Sequence, residues 1–356
     1  MVKVLITGAA GFLGSRILQW IRTQKLDWEV WGIDNLSRKG AERNLAILEN
    51  LGCHFIQGDI ADPTTIAKVP TIDYVIDCAA NPSVLAGMGG GTLRLLKDNL
   101  EGTFYLLEKC KADQAGFVLI STSRVYSIAA LNQIPLSVEN NRYVVDEQQA
   151  HKFPVGFSAQ GIEEHFSTQA PISLYGATKL ASEQLAMEYH HAFGIPVWIN
   201  RAGVIAGAGQ FGKIDQGIFS FWVYQYLLDR PLAFIGYGGH GWQSRDLVHP
   251  HDIAKLVVQQ MTEPVTGAPR IVNVGGGKQN TLSLAELDTY CAGHFKKSTP
   301  VQAIAENRAL DIPMYYTNSA LAKQWWNWQP TYTAEQILDE IRDFAKTNRE
   351  FVEAIS

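Results

Sequence analysis

The chain is short of cysteine, and the four it has, Cys53, Cys78, Cys110 and Cys291, stand too far apart to form a Cys-x-x-Cys pair. No histidine lies at zinc-finger spacing from them, so they read as reduced thiols of a cytoplasmic protein, without disulfides or structural zinc. Positive charge is not in excess either: 30 Lys plus Arg against 35 Asp plus Glu leave a net charge of −5. With no basic stripe to gather phosphates, nucleic acid is not expected as a partner. No apolar run reaches the roughly 18 residues of a membrane span, which argues against a membrane protein. Met1 leads directly into a strand and a glycine turn rather than the apolar core of a signal peptide. Repeats and low-complexity tracts are missing as well. What the sequence does have is bulk: 356 residues, 46% hydrophobic and 18% charged, exceed one ordinary domain and can build a large core without covalent staples.

Through the first two hundred residues short β-branched runs alternate with segments of helical period, the pattern of a parallel sheet covered by helices on both faces. The predicted strands are Val2 to Thr7, Glu29 to Ile33, His54 to Gln57, Tyr74 to Cys78, Phe117 to Ser121 and Val197 to Asn200. Their order predicts a Rossmann-type, doubly wound α/β fold. A helix is expected from Asn99 to Lys111, with Leu100, Thr103, Phe104 and Leu107 as its buried stripe, and a longer one from Leu174 to Phe193. The irregular stretch 127–174, with Pro135, Pro154 and Pro171, is longer than a connection needs and is a candidate lid over the site. After residue 200 the alternation weakens and glycines cluster at 236–241 and 275–277, which suggests a smaller C-terminal lobe. Trp325, Trp326 and Trp328 read as core, and Ala334 to Glu353 as an amphipathic surface helix.

The strand Val4-Leu5-Ile6-Thr7 runs into Gly8-Ala9-Ala10-Gly11-Phe12-Leu13-Gly14 and then a helix. In such a turn Gly8 permits the tight bend, Gly11 lets the backbone approach a pyrophosphate, and Gly14 lets helix and strand pack closely, while the helix-start N–H groups face the anion. Asp34 closes the second strand twenty residues after Gly14, where a carboxylate can accept both adenosine ribose hydroxyls. That favours NAD over NADP, although Arg38 and Lys39 follow closely and carry the charge a 2′-phosphate would need. Asp59, after the third strand, reads either as an adenine contact or as a strand-end turn residue. The expected boundaries are an NAD-binding domain over 1–200, with 244–275 returning to it, and a substrate-binding lobe made of 201–243 and 276–356.

Two Tyr-x-x-x-Lys pairs occur, Tyr105/Lys109 and Tyr175/Lys179. The first sits on a packing helix; the second follows the strand end Ser121-Thr122-Ser123, which would open beside a nicotinamide. Residues four apart share a helix face, so Lys179 is expected to hold its ammonium near the Tyr175 phenol and lower its pKa from about 10. A phenolate there takes a proton from a sugar hydroxyl while hydride leaves the same carbon, and Thr122 hydrogen-bonds that oxygen.

These pieces together resemble the extended short-chain dehydrogenase/reductases, in the NAD-dependent nucleotide-sugar epimerase and dehydratase branch. The resemblance covers nearly the whole length. It rests on residues 7–14, Asp34-Asn35-Leu36-Ser37, Gly58-Asp59-Ile60, Cys78-Ala79-Ala80, Asn99 to Thr103, Ser121 to Tyr126, Tyr175 to Lys179 and Arg245 to Asp252. It implies Thr122, Tyr175 and Lys179 as the catalytic triad. It also implies that Asn99 supports the lysine and that Phe12, Leu13, Asn35, Ser37, Arg38, Ile60, Ala79, Ala80, Asn99, Tyr175 and Lys179 join the glycines, Asp34 and Asp59 around NAD. Dehydratases of the branch carry an Asp-Glu pair after the triad threonine, where this chain has Ser123 and Arg124, so epimerisation is implied instead.

Within the branch, residues 34–41, the insertion before Tyr175 and residues 210–217 are similar to CDP-paratose (CDP-tyvelose) 2-epimerases, which implies a CDP-sugar as substrate. Ser127 and Val204 depart from the usual pattern. Arg245 reads as a diphosphate clamp and Arg308 as its support, with Ser123 and Arg124 near the sugar. Gln210, Lys213, Asp215 and Gln216 lie on a loop that reads either as a nucleotide-sugar contact or as solvated surface. His249 and His251 lack a nearby third ligand, so no metal is expected. The expectation is an NAD-retaining epimerase, cytoplasmic and a homodimer or higher homo-oligomer. A UDP-hexose 4-epimerase, a net dehydrogenase and a non-catalytic NAD-binding regulator on the same fold are the alternatives.

Overall fold

The computed structural model describes residues 1–213 and 216–356. Seven parallel strands make the main sheet: β1 (Val2–Thr7), β2 (Trp28–Asp34), β3 (Cys53–Gln57), β4 (Tyr74–Asp77), β5 (Gly116–Thr122), β6 (Val197–Ala202) and β7 (Ile271–Val274). Their spatial order is β7-β6-β5-β4-β1-β2-β3, so the chain starts in the middle and winds outward in both directions. This is a Rossmann-type doubly wound sheet, and the reversal between β1 and β4 opens the crevice where such folds bind ligands.

Sheet strands buried on both faces need apolar residues at successive positions, and they have them. Val4, Ile6, Val30, Ile76 and Val118 face one side, against Ile17 and Ile21 of α1 (Phe12–Thr23) and Ile253 and Val257 of a helix over Pro250–Thr262. Leu5, Ile33, Val75, Phe117 and Leu119 face the other, against Leu106 and Leu107 of α2 (Gly102–Asp113) and Ala186 of α3 (Ser173–Phe193).

The helix expected from Asn99 to Lys111 differs in a telling way. Chain 97–101 forms a π-turn between a short helix, Thr92–Leu96, and α2. An inserted turn of this kind rotates the face that follows. The buried stripe is therefore Thr103, Leu106, Leu107 and Cys110, while Phe104 is 41% exposed.

The stretch 127–174 is not a lid. It folds into two small hairpins, Leu136–Glu139 with Arg142–Val145 and Phe157–Ser158 with Gly161–Ile162. Phe157, Ile162 and Phe166 are buried against Tyr126, Tyr315 and Tyr316, and Ile162 exchanges backbone hydrogen bonds with Tyr316 and Asn318. Apolar residues that a lid would leave loose anchor this segment to the C-terminal part, and among the described residues none of 127–174 lines the cleft.

A second sheet joins Val204–Ile205, Ser244–Val248, Thr281–Ser283 and Met314–Tyr315. Trp326 and Trp328 are buried, and the last stretch is two helices, Ala334–Thr347 and Arg349–Ile355, broken at Asn348.

Candidate active site

A cleft of about 830 Å³ runs from the glycine turn, across the ends of β4 and β5, to the second sheet. Its near end is set by local backbone demands. Gly8 takes φ of +60°, which side chains other than glycine rarely adopt, and a Cβ on Gly14 would stand 2.3 Å from the Gly8 carbonyl oxygen. Gly11, Phe12, Leu13 and Gly14 line the cleft at the first turn of α1, where helix N–H groups have no intrahelical acceptor. Thr7 ties β1 to β4: its hydroxyl donates to Asp77 Oδ1 (2.7 Å) and accepts from the N–H groups of Cys78 and Ala79.

Asp34 accepts from Ala10 N (3.1 Å) and Leu36 N (2.8 Å), and burial pushes its carboxyl pKa up. Asn35, Ser37, Arg38, Asp59, Ile60, Ala79 and Ala80 line the same wall. Asp59 is held by Arg94 at 3.0 Å and by Asn35 at 3.3 Å. Arg38 reaches across to Gln216 Oε1 (2.6 Å) and the Phe211 carbonyl oxygen. The glycine cradle, the open helix start and the carboxylate at the end of β2 fit a dinucleotide with free ribose hydroxyls.

Beyond them lies a cluster of titratable groups. Thr122, Ser123 and Arg124 leave the end of β5, and Tyr175 faces them from the first turn of α3. The Thr122 hydroxyl stands close enough to the Tyr175 phenol to favour its ionised form. Burial raises the phenol's pKa, while Thr122 and the Arg124 charge act in the opposite direction. Residue spacing alone predicts Lys179 in this role. Instead the Lys179 ammonium is buried and faces Asp77, Glu183 and Cys78, and burial lowers its pKa. Asn99, expected to support the lysine, bonds Asn81 and the neighbouring Thr178 Oγ1 (3.1 Å) instead, which fixes the wall of the cleft. The rival pair is engaged elsewhere: Lys109 pairs with Asp113 at 2.7 Å.

The residues expected to meet a sugar nucleotide all line the cleft: Ser123, Arg124, Gln210, Gln216, Arg245 and Arg308. Several already have protein partners. Arg245 donates to Ser244 O, Ile312 O and Asp311 Oδ1 (3.0 Å), and Gln210 bridges Ile205 O and Ser220. Gln216 is occupied by Arg38, and Asp215 lies outside the described residues. His249 stacks on Tyr332 and bonds Glu340 at 2.9 Å, which gives this histidine a packing role.

Sequence reasoning missed Trp222, Gln243 and the short strand Ala233–Ile235, which close the far end. The apolar run Leu232 to Ile235 between Pro231 and Gly236 carried a strand signature that could have found the last of these.

Known proteins resemble this chain along its length. A family model described as the NAD dependent epimerase/dehydratase family matches residues 4–275. A CDP-paratose 2-epimerase of Salmonella typhi is 30% identical, over 97% of this chain and 100% of that protein. A UDP-glucuronate 4-epimerase of Thermodesulfobacterium geofontis is 27% identical, over 99% of this chain and 98% of that one. The crystal structure of a UDP-glucuronic acid 4-epimerase from Bacillus cereus, in complex with UDP-glucuronic acid and NAD, superposes with a TM-score of 0.76. It is 25% identical and covers 97% of this chain and 99% of its own.

Proposed function

We propose that this chain, which belongs to the NAD dependent epimerase/dehydratase family, inverts C2 of a CDP-3,6-dideoxyhexose of the paratose or tyvelose type. The sugar carbon is oxidised to a ketone and then reduced on its opposite face. One observation supports the epimerase reading: the Tyr175 phenol and the Thr122 hydroxyl line one cleft with the glycine turn, and the next residues, Ser123 and Arg124, offer no carboxyl pair to eliminate water. Similarity to the Salmonella typhi relative supports the choice of sugar.

When bound, NAD, the cofactor of this family, supplies a reversible hydride acceptor. Gly8, Gly11, Phe12, Leu13 and Gly14 would hold its pyrophosphate and Asp34 its adenosine ribose. Tyr175 takes the proton of the reacting hydroxyl and returns it, Thr122 steadies that oxygen, and the Lys179 ammonium would bind the nicotinamide ribose. The lobe over 1–200 with 244–275 would carry the dinucleotide, and 201–243 with 276–356 the sugar nucleotide.

The direct test is incubation with CDP-, UDP- and GDP-hexoses, scoring isomers of unchanged mass by chromatography. A product epimeric at C2 of a CDP-dideoxyhexose is expected; inversion only at C4 of a UDP-sugar would replace this reading by the second one. That second reading, a UDP-hexose or UDP-uronate 4-epimerase, is favoured by the likeness to the Thermodesulfobacterium geofontis relative.

A cytoplasmic homodimer belongs to the same proposal. Leu93, Leu96, Phe104 and Leu174 are each at least 40% exposed, on adjoining helices. Apolar exposure gathered on adjoining helices supports an interface there. Light scattering is expected to give twice the mass of one chain, and a monomer at micromolar concentration would refute it. Among the described residues no helix is long and apolar enough to cross a membrane.

A further inference from the structure

One donor of the Arg124 guanidinium goes unanswered among the described residues. Its Nη1 is shut off from solvent and has no hydrogen-bond partner among the described residues. A donor that has left water for nothing is unfavourable, and burial together with the nearby Arg245 pulls the guanidinium pKa down to about 10. Asp311 is the carboxylate within electrostatic reach, but it already accepts from Arg245 Nη2 (3.0 Å) and from Ile312 N (2.8 Å). Two guanidinium groups thus share one carboxylate.

The backbone gives Arg124 little freedom to escape. Its N–H donates to Thr122 Oγ1 at 3.2 Å, and its carbonyl oxygen lies 2.2 Å from where a Cβ on Gly176 would stand. The turn is therefore pressed against the start of α3, and the guanidinium lies within electrostatic reach of Tyr175, Arg245 and Asp311.

We propose that Arg124 receives the sugar-linked phosphate of the nucleotide sugar and thereby decides which ring carbon stands at Tyr175. The inference deepens the C2 reading and rests on it. In a hexosyl diphosphate, C2 is joined to that phosphorus through C1 and the glycosidic oxygen alone, whereas C4 lies across the ring. A cation fixed beside the phenol meets the phosphate when C2 reacts. With C4 at the phenol the phosphate is out of reach, and the only anion near enough is the C6 carboxylate of a uronate. A neutral hexose reacting at C4 offers neither.

The experiment compares the holoenzyme with Arg124→Met and Arg124→Lys, titrated with CDP, which has the diphosphate and no sugar. The three proteins are also assayed on a CDP-3,6-dideoxyhexose, UDP-glucuronate and UDP-glucose. Arg124→Met is expected to weaken CDP binding roughly a hundredfold and Arg124→Lys roughly tenfold, since lysine keeps the charge and loses the planar fork. KM for the dideoxyhexose rises in step, and the dinucleotide released on denaturation is unchanged. Without nucleotide, Arg124→Met melts higher than the wild type because a buried donor without a partner is gone; an arginine with a merely structural role would leave a variant that melts lower. Unchanged CDP affinity overturns the proposal, as does a loss confined to UDP-glucuronate turnover, which would assign the guanidinium to the carboxylate. Should CDP binding depend on Arg124 while the wild type inverts no CDP-sugar, the phosphate contact stands and the C2 reading falls.

Discussion

Tyr175→Phe is expected to lower turnover roughly a thousandfold and to leave the bound dinucleotide in place. Phenylalanine keeps the ring in its buried position, where only 7% of Tyr175 is accessible, so packing changes little and the loss is that of one hydroxyl. That hydroxyl is the group aligned with Thr122 at the cleft. Its pKa is raised by burial, so at neutral pH most of it is protonated, and turnover should climb with rising pH as the phenolate forms. Thr122→Val removes an influence that favours the phenolate and should move the climb to higher pH. A pH–rate profile and chromatography of the released dinucleotide check both points. A phenylalanine variant within tenfold of the wild type, or a rate flat with pH, would assign the proton transfer to another group.

Local features were legible before the fold was known. β1 and the turn after it are a buried strand feeding glycines, and both the strand limits and the positive φ of Gly8 follow from residues close in sequence. Tyr175 and Lys179 were separable from Tyr105 and Lys109 because only one pair follows the strand end at Thr122. What stayed hidden depends on residues distant in the chain. β7 is four residues long and owes its place to pairing with β6, 72 positions earlier in the chain. Phe104 was assigned to the wrong face because a π-turn leaves no mark in a periodicity argument. Lys179 was expected to face the phenol, but Asp77 from β4 and Glu183 from its own helix surround it. The isolation of Arg124 is the sharpest case. A sequence shows that an arginine is there, and only packing shows that Asp311 is already taken.

Glu183→Gln is expected to destabilise the fold by roughly 3–5 kcal/mol, through a buried charge rather than through the chemistry. Glu183 follows Lys179 by one turn of α3 and accepts from Arg201 Nη2 at 2.6 Å and Nε at 3.1 Å, and from the Ser121 hydroxyl. The pair is nearly sealed, with side chains 0% and 5% exposed. Arg201 turns its remaining nitrogen, Nη1, to the Glu164 carbonyl oxygen (2.9 Å) and the Tyr126 hydroxyl (3.3 Å), neutral groups that cannot replace a carboxylate. Glutamine preserves the shape and strands the guanidinium. Attraction inside a buried pair barely exceeds the desolvation of its members, so the double variant Glu183→Leu with Arg201→Met should unfold closer to the wild type than Glu183→Gln does. Urea unfolding of the variants decides it: a Glu183→Gln loss under about 1 kcal/mol, or a double variant as unstable as the sum of its singles, would mean that the pair is not what holds β5, β6 and α3 together. Because the same carboxylate also faces Lys179, its removal leaves Asp77 as that ammonium's one remaining carboxylate neighbour among the described residues and should lower the lysine's pKa further. Dinucleotide retention should then weaken as pH rises, at a lower pH in Glu183→Gln than in the wild type, since the lysine loses its proton sooner.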